Sequence, residues 1–518
     1  MTRRSVSSGG GTSTRPSARR LRLAAMLWAC APAAPAQVPA MHQGALPPSL
    51  ASPAELATRL EGVLRDPALA RALVGLRVEV AETGEVLFET QSEKRFTPAS
   101  NTKIVTAAVA LDALGPAYSW TTRLIADGPL REGTIDGNLW IVGGGDPAVT
   151  REDVRHWVDL LEEAGVGRIS GDLIGDDRVY PEPRWGDGWL WDDLFAGWGA
   201  GVSGLQLSPA SVRAAIIPAE RVDGTAYLEL REHGPPLRVS SRVRTGAPGS
   251  ETRLWWVPST LAAPVELRGW IPLDGGPVPL DVAPDDPTRY LLEVVRAQLQ
   301  DRGIRLDGQV RRPADPEAPG SPGWTVSVGS EPLSAVLSEM MKESDNQMAE
   351  AILRTVGREN LGRGTPEAGL EAVEGTLARW GIEPGAYHLT DGSGLSRRNQ
   401  ITPAALVRIL RAMWRHPQHA VFRGTLPVAG VDGTLRARML GTPAMGNVRA
   451  KTGSLLSVRA LSGYLTDGTG ETLIFSLLVN GFDAPEDVAK ALEDLIVEQL
   501  ALYRRPVEPG WPGQREDP

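Results

Sequence analysis

The sequence predicts an α+β protein in which helix-and-strand segments at the two ends of the chain enclose a long β-rich insertion. Three observations predict it. Residues 53–73, 101–114 and the stretch after Pro332 carry apolar side chains at three- and four-residue spacing, the pattern of helices with a buried face. Between them, residues 121–326 are rich in Gly, Pro and Trp, with short apolar runs such as Leu139–Val142 and Tyr227–Leu230. Structureless connections of that length are rare, so the region reads as inserted domains. The last part alternates strand-like runs with a closing helix. At 518 residues the chain has room for two to four domains.

Residues 1–45 read as a leader. Arg15, Arg19, Arg20 and Arg22 precede a short apolar run over 23–31, and Ala34-Pro35-Ala36 fits a small-residue cleavage site before Gln37. The run is too short to span a bilayer comfortably, so the mature protein is expected to have no transmembrane span. The one cysteine, Cys30, lies inside this segment; cleavage after Ala36 leaves no thiols. Leu27-Trp28-Ala29-Cys30 also resembles a bacterial lipoprotein box, with Trp28 a poor match, and simple cleavage is the favoured reading. Either route exports the chain to a periplasmic or other extracytoplasmic space.

Leu56, Leu60, Val63 and Leu64 then mark a first helix, and Asp66-Pro67 a break with Asp66 as the cap of a second, short one. Residues 76–80 and 85–89 predict a hairpin around Thr83-Gly84. A turn over 96–100 leads into a helix over 101–114, with Ile104, Ala107, Ala108, Leu111 and Leu114 on one face and Gly115-Pro116 as its stop. A helix is expected at 290–302. Near the C-terminus, residues 448–451, 459–466 and 472–480 read as strands, the last two joined at Asp467-Gly468-Thr469-Gly470. Asp483 and Glu486 predict a capping box for a helix reaching Tyr503, and the Pro-rich tail after Arg505 reads as disordered.

The formal charge of −9 and pI near 5.4 argue against an electrostatic nucleic-acid binder and give no reason to expect adhesion to anionic membranes. The cations are more informative than their sum. Only Lys94, Lys103, Lys342, Lys451 and Lys490 are lysines; the rest are arginines. A GC-rich genome explains such a skew. Arginine, however, keeps its proton at any working pH, whereas a buried lysine can lose it.

Ser100-Asn101-Thr102-Lys103 puts a hydroxyl and an amine on one helix face, three residues apart, beside the free N–H groups of the helix start. A serine hydroxyl is a poor nucleophile until a neighbouring base takes its proton, and a desolvated lysine can be that base. Taken alone, the pair reads more readily as a capping serine followed by a solvent-facing lysine, because S-x-x-K is a loose pattern. Ser344-Asp345-Asn346, in a break between helical runs, and Lys451-Thr452-Gly453, ending a predicted strand, change that reading. S-x-x-K, S-D-N and K-T-G in this order are the signature of penicillin-binding proteins and serine β-lactamases.

Over residues 53–503 the chain further resembles the D-Ala-D-Ala carboxypeptidase/endopeptidase family typified by penicillin-binding protein 4, peptidase family S13. The resemblance is carried by Thr97-Pro98-Ala99-Ser100-Asn101-Thr102-Lys103, Gly143-Gly144-Gly145-Asp146-Pro147 and Gly188-Trp189-Leu190-Trp191-Asp192-Asp193. Asp391-Gly392-Ser393-Gly394-Leu395-Ser396-Arg397 and Val431-Asp432-Gly433-Thr434-Leu435 continue it. Ser100 and Ser344 stand 244 residues apart, room for the family's large insertion. Ser454 departs mildly from the threonine that often follows K-T-G.

The resemblance implies a serine β-lactamase/DD-peptidase (transpeptidase-like) fold: an antiparallel sheet packed between helices, assembled from both ends of the chain, with β-rich inserted domains. The expected division is catalytic domain 46–125 and 329–505, inserted domain II 126–204 and 285–328, and inserted domain III 205–284, with the tail 506–518. It also implies roles. Ser100 would attack the D-Ala–D-Ala carbonyl and Lys103 would act as base. Ser344, assisted by Lys451, would relay the proton, and Asn346 would bind the substrate amide. Backbone N–H groups of Ser100 and Ser454 would form the oxyanion hole, and Lys451 with Thr452 or Ser454 would bind the terminal carboxylate. Gly453 completes that motif. Asp193, Arg397 and Thr434 match positions that contact the stem peptide. The implied partners are peptidoglycan stem peptides and β-lactam antibiotics, without nucleic acid; neither metal nor organic cofactor is indicated.

Other residues admit blander readings. The Gly143–Asp146 run lacks the Lys-Ser/Thr of a phosphate loop and reads as a tight turn. Trp185, Trp189, Trp191 and Trp198 suit packing between domains better than sugar stacking. His416 and His419 flank Pro417 on expected surface, a poor metal site. Two other functions stay open: a β-lactamase or esterase on the same fold, and a non-catalytic wall-binding protein. Fluorescent penicillin separates them by rapid turnover or by no label.

Overall fold

The computed structural model describes residues 52–231, 239–257 and 265–505. The leader with Cys30 and the tail after Arg505 lie outside the described residues.

Helix α1 (Pro53–Leu64) starts where Ser52 accepts the Glu55 N–H and Pro53 occupies the first helical position. Asp66 caps as expected, accepting from Ala68 N at 2.8 Å, but only a 3-10 turn follows (Pro67–Leu69). Strands β1 (Leu73–Val80) and β2 (Val86–Thr90) then form the expected hairpin. The segment carrying Ser100 differs in detail from expectation. A 3-10 turn over Ala99–Asn101 precedes helix α2 (Thr102–Leu114), which Gly115 closes at φ 76°. Every residue from Thr102 to Leu111 is buried, so α2 is a central helix covered on all sides, not one with a single apolar face.

The chain returns to this body at α5 (Leu333–Glu343) after two helices of the insertion, α3 (Arg151–Glu163) and α4 (Pro287–Asp301). Next come α6 (Asn346–Leu361), α7 (Pro366–Arg379), α8 (Pro403–Arg415) and the short α9 (His419–Thr425). Strands β3 (Arg449–Leu455), β4 (Val458–Thr466) and β5 (Thr472–Asn480) and helix α10 (Glu486–Leu502) close it. Lys451-Thr452-Gly453 lies inside β3, not at a strand end as expected. The predicted capping box of α10 does not form: Pro485 sits at the N-cap without a side-chain bond, and Asp483 faces Arg71 instead, at 3.6 Å.

The five strands make one antiparallel sheet in the order β2-β1-β5-β4-β3. Its centre therefore joins the first and last thirds of the chain. Alternation along β5 explains how it is covered on both faces. Leu473, Phe475, Leu477 and Val479 pack with Leu56, Leu60, Ile496 and Leu500 of α1 and α10. Ile474 and Leu478 face the opposite core, with residues of α2, α5, α6 and α8. Each such fully buried aliphatic side chain contributes about 1.5–3 kcal/mol. Helices on both faces of an antiparallel sheet are the α+β arrangement expected.

The insertion is less purely β than its composition suggests. Strands Val310–Arg311, Leu173–Asp176, Leu139–Val142, Thr121–Ala126 and Trp324–Gly329 form, in that order, a mixed five-stranded sheet. Helices α3 and α4 share its core through Val154, Trp157, Leu161, Leu291, Val295 and Leu299. Farther along, Val212–Ile217, Tyr227–Leu230 and Val278–Val282 form one small sheet, and Val239–Gly246, Arg253–Val257 and Val265–Pro272 another. A separate cluster around Ile216, Val243, Leu267 and Ile271 lies between them. Glycine is needed at the Gly143–Asp146 turn for close approach: a Cβ on Gly143 or Gly144 would fall 2.2 Å from the carbonyl oxygen of Gly204 or Thr121.

Candidate active site

Three elements converge on Ser100. Its own turn is held from outside: Asn480 Oδ1 accepts Thr97 N at 2.8 Å, and Asn480 Nδ2 donates to Thr97 O at 3.1 Å. Ala99 adopts φ 48°, a costly conformation for a residue with a Cβ, and so throws the backbone into the turn that presents Ser100. Strand β3 runs against this turn. Asn101 Nδ2 donates to Lys451 O at 3.1 Å, and a Cβ on Gly453 would lie 2.6 Å from Pro98 O. The third element is the α5–α6 junction. Ser344 takes the left-handed conformation at φ 62° that ends α5, and Asp345 accepts the Met348 N–H to start α6 at Asn346.

Lys103 is fully buried at the centre. Its Nζ lies 2.6 Å from Asn346 Oδ1, 2.7 Å from the Ser393 carbonyl and 3.1 Å from Ser100 Oγ. The Asn346 orientation is fixed by its other end, since Nδ2 donates to the Trp198 carbonyl at 2.9 Å. Two of the three neighbours are therefore pure acceptors. A neutral amine has two N–H groups for those acceptors and one lone pair left for the Ser100 hydroxyl. Burial pushes the Lys103 ammonium down to about 8, against the opposing pull of Asp391, Asp345 and Glu350.

Lys451, also fully buried, donates to Ser344 Oγ at 2.8 Å and to Thr452 O at 3.1 Å. Burial first, then the charge of Lys103, holds it well below the usual lysine range. The two amines are thus linked: a free-base Lys103 removes the repulsion that disfavours a charged Lys451. Thr452 Oγ1 donates to Thr434 Oγ1 at 2.8 Å. The Ser454 hydroxyl is taken by Arg459, whose guanidinium continues to Glu486 at 2.8 Å and Glu493 at 3.3 Å.

The structure brings together the hydroxyls, amide and amines of Ser100, Lys103, Ser344, Asn346, Lys451, Thr452 and Thr434. Asp193 and Arg397 stand at the side of the site. Arg397 donates to the Leu456 carbonyl at 3.1 Å, in the turn between β3 and β4. Burial raises the Asp193 carboxyl, which the Trp198 side chain and, more weakly, Arg397 counteract. Of the tryptophans, Trp189 joins insertion to catalytic body by donating to Asp391 at 3.0 Å, while Trp191 and Trp198 are exposed. His416 and His419 are half-buried, contrary to expectation, His416 against Asp112 and His419 on the Trp414 ring.

Sequence reasoning missed four participants. The Ser393 and Trp198 carbonyls carry no side-chain signal. Asn101 stands inside S-x-x-K, between Ser100 and Lys103, where no sequence signal marks it. Glu350 was legible: it stands four residues after Asn346, hence on the same helix face, in an otherwise apolar run.

A family described as D-Ala-D-Ala carboxypeptidase 3 (S13) matches residues 56–502. A D-alanyl-D-alanine carboxypeptidase of Actinomadura sp. (strain R39) is 33% identical over 461 residues, covering 87% of this chain and 85% of that protein. Penicillin binding protein 4 (dacB) from Haemophilus influenzae has a solved structure that superposes with a TM-score of 0.75 at 27% identity, over 85% of this chain and 97% of that one. A second structure of that protein, complexed with a β-lactam, gives a TM-score of 0.71 at 25% identity, covering 86% and 99%.

Proposed function

From its membership of the D-Ala-D-Ala carboxypeptidase 3 (S13) family, to which the chain belongs, and from the geometry around Ser100, we propose the following catalytic cycle for a serine-type DD-carboxypeptidase. The enzyme acts on peptidoglycan stem peptides and is acylated by penicillins.

The observation that carries the cycle is the set of three contacts at Lys103. Its lone pair takes the Ser100 proton as Oγ attacks the carbonyl carbon of the penultimate D-Ala. The tetrahedral oxyanion is met by backbone N–H groups of Ser100 and Ser454. As the C–N bond breaks, Ser344 relays the proton taken up by Lys103 to the leaving amine, while the Lys451 ammonium donates to its hydroxyl across 2.8 Å. Terminal D-Ala departs, and water then hydrolyses the Ser100 ester. Asn346 holds the substrate amide, and Lys451, Thr452, Gly453 and Ser454 line the place for the terminal carboxylate. A carboxylate there favours the ammonium form of Lys451, against the burial that disfavours it. Thr434 extends this strip through Thr452, and Asp193 with Arg397 meets the stem-peptide side chain.

The reading includes DD-endopeptidase action on cross-links, export by a signal segment to the periplasm, and the division into domains at 125, 204, 284 and 328. The separate cores of the insertion support two inserted bodies, with the strand Thr121–Ala126 and the side chains of Leu205, Leu207 and Val212 going with the first. Fluorescent penicillin tests the chemistry: Ser100→Ala is expected to fold and to take no label. A labelled Ser100→Ala would mean that the nucleophile lies elsewhere. Mass analysis of products from monomeric and cross-linked muropeptides reads carboxypeptidase and endopeptidase action separately.

A further inference from the structure

Beneath the site, the loop over 390–397 folds around two buried carboxylates. Asp391 accepts the N–H groups of Gly394 at 2.8 Å and Ser396 at 2.7 Å, and the Asn399 amide at 2.6 Å, which shapes the loop itself. Glu350 does something different. It projects from α6 and is 0% exposed, and its Oε1 accepts from Gly392 N at 2.9 Å and Ser393 N at 2.8 Å. The next polar group of that segment, the Ser393 carbonyl, points to Lys103 Nζ at 2.7 Å. One helix thus supplies both acceptors of the amine: Asn346 directly, and the Ser393 carbonyl through the backbone that Glu350 grips.

The grip carries a cost. Glu350 Oε2 is buried with no hydrogen-bond partner among the described residues, an arrangement that a packed core avoids unless something else requires it. Arg354, one turn on, directs its guanidinium to the Pro183 carbonyl at 2.7 Å. A carboxylate in this position also acts on Lys103 through space. The charged groups facing Lys103 are Asp345 at the cap of α6, Glu350 of α6, Asp391 of the loop and Lys451 of β3; those facing Glu350 are Asp391, Arg354 and Lys103 itself. Burial, then Asp391, raises Glu350 itself to about 7.

We propose that Glu350 is a positioning residue for the acylation step, orienting the Ser393 carbonyl against Lys103 and setting a buried carboxyl one residue's backbone away from the amine. This rests on Lys103 as the base. Two variants separate grip from charge when the second-order rate of penicillin acylation is followed against pH. Glu350→Gln keeps an acceptor and deletes the charge. Losing a nearby anion disfavours the ammonium, so its acid limb is expected to move to lower pH, by about half a unit or more. Glu350→Ala deletes both, and its limiting rate is expected to fall at least about tenfold below that of Glu350→Gln, with folding checked by thermal melting. An unmoved limb in Glu350→Gln, or a wild-type limiting rate in a folded Glu350→Ala, overturns the proposal. If Glu350→Ala does not fold, the limb of Glu350→Gln decides alone. Near-normal labelling of Lys103→Arg, measured alongside, would overturn the base assignment itself, and that result is distinct from unaltered Glu350 variants.

Discussion

The pH dependence of acylation follows from the state of one amine. In the proposed cycle Lys103 must be neutral to accept the Ser100 proton, and burial brings it from 10.5 to about 8. At pH 7 that shift raises the neutral fraction from roughly 0.03% to about 9%, some three hundredfold. The acylation rate is therefore expected to climb about tenfold per unit between pH 5 and 7 and to level near 8, where an ordinary lysine would still be mostly charged. The perturbation that isolates this effect is Lys103→Arg, which keeps the cation and the hydrogen-bond donors but cannot supply the base. Loss of general-base assistance lowers the rate by about 10²- to 10⁴-fold. The assay is the second-order rate of labelling by fluorescent penicillin from pH 5 to 10, on wild type and variant. A profile flat from pH 6 to 9, or a variant within tenfold of wild type, would refute the reasoning.

Other outcomes can be checked by the same labelling and by unfolding. Ser344→Ala removes the hydroxyl 2.8 Å from Lys451 and is expected to slow acylation by about 10²-fold or more without changing the melting temperature appreciably. Gly453→Ala drives a Cβ to within 2.6 Å of Pro98 O; labelling is expected to drop at least about tenfold as β3 and the Ser100 turn separate. Glu493 is 1% exposed and binds Arg438 at 3.0 Å and Arg459 at 3.3 Å, so Glu493→Ala leaves two guanidinium groups short of a partner. Denaturant unfolding should show a loss of about 3–5 kcal/mol; a loss below 1 kcal/mol would show that Glu486 and Asp494 suffice.

Much of this site was legible in the chain because its chemistry is carried by side chains in short, ordered motifs. Ser100 with Lys103 was an ambiguous pair by itself, and Ser344, Asn346 and Lys451 gave it meaning. What escaped was carried by the backbone or by tertiary contact. The Ser393 carbonyl reaches Lys103 from 290 residues away, and no periodicity announces a carbonyl. Capping failed where it depended on a local pattern alone: Asp483 satisfied the capping-box spacing, yet the helix begins behind Pro485 and Asp483 faces Arg71. Helix α3 was hidden by the Gly/Pro/Trp texture around it, although Val154, Trp157, Val158 and Leu161 carry a helical stripe behind a Thr150–Asp153 capping box. The burial of α2 on all sides needed α5, α6 and α8 in place, and periodicity cannot report a neighbour on the polar face.

The most direct test of Ser100 as the nucleophile is peptide mapping by mass spectrometry after incubation with benzylpenicillin. One penicilloyl group on the peptide containing Ser100, absent from Ser100→Ala, is the predicted result. An adduct on any other residue, or muropeptide trimming by Ser100→Ala at the wild-type rate, would contradict it.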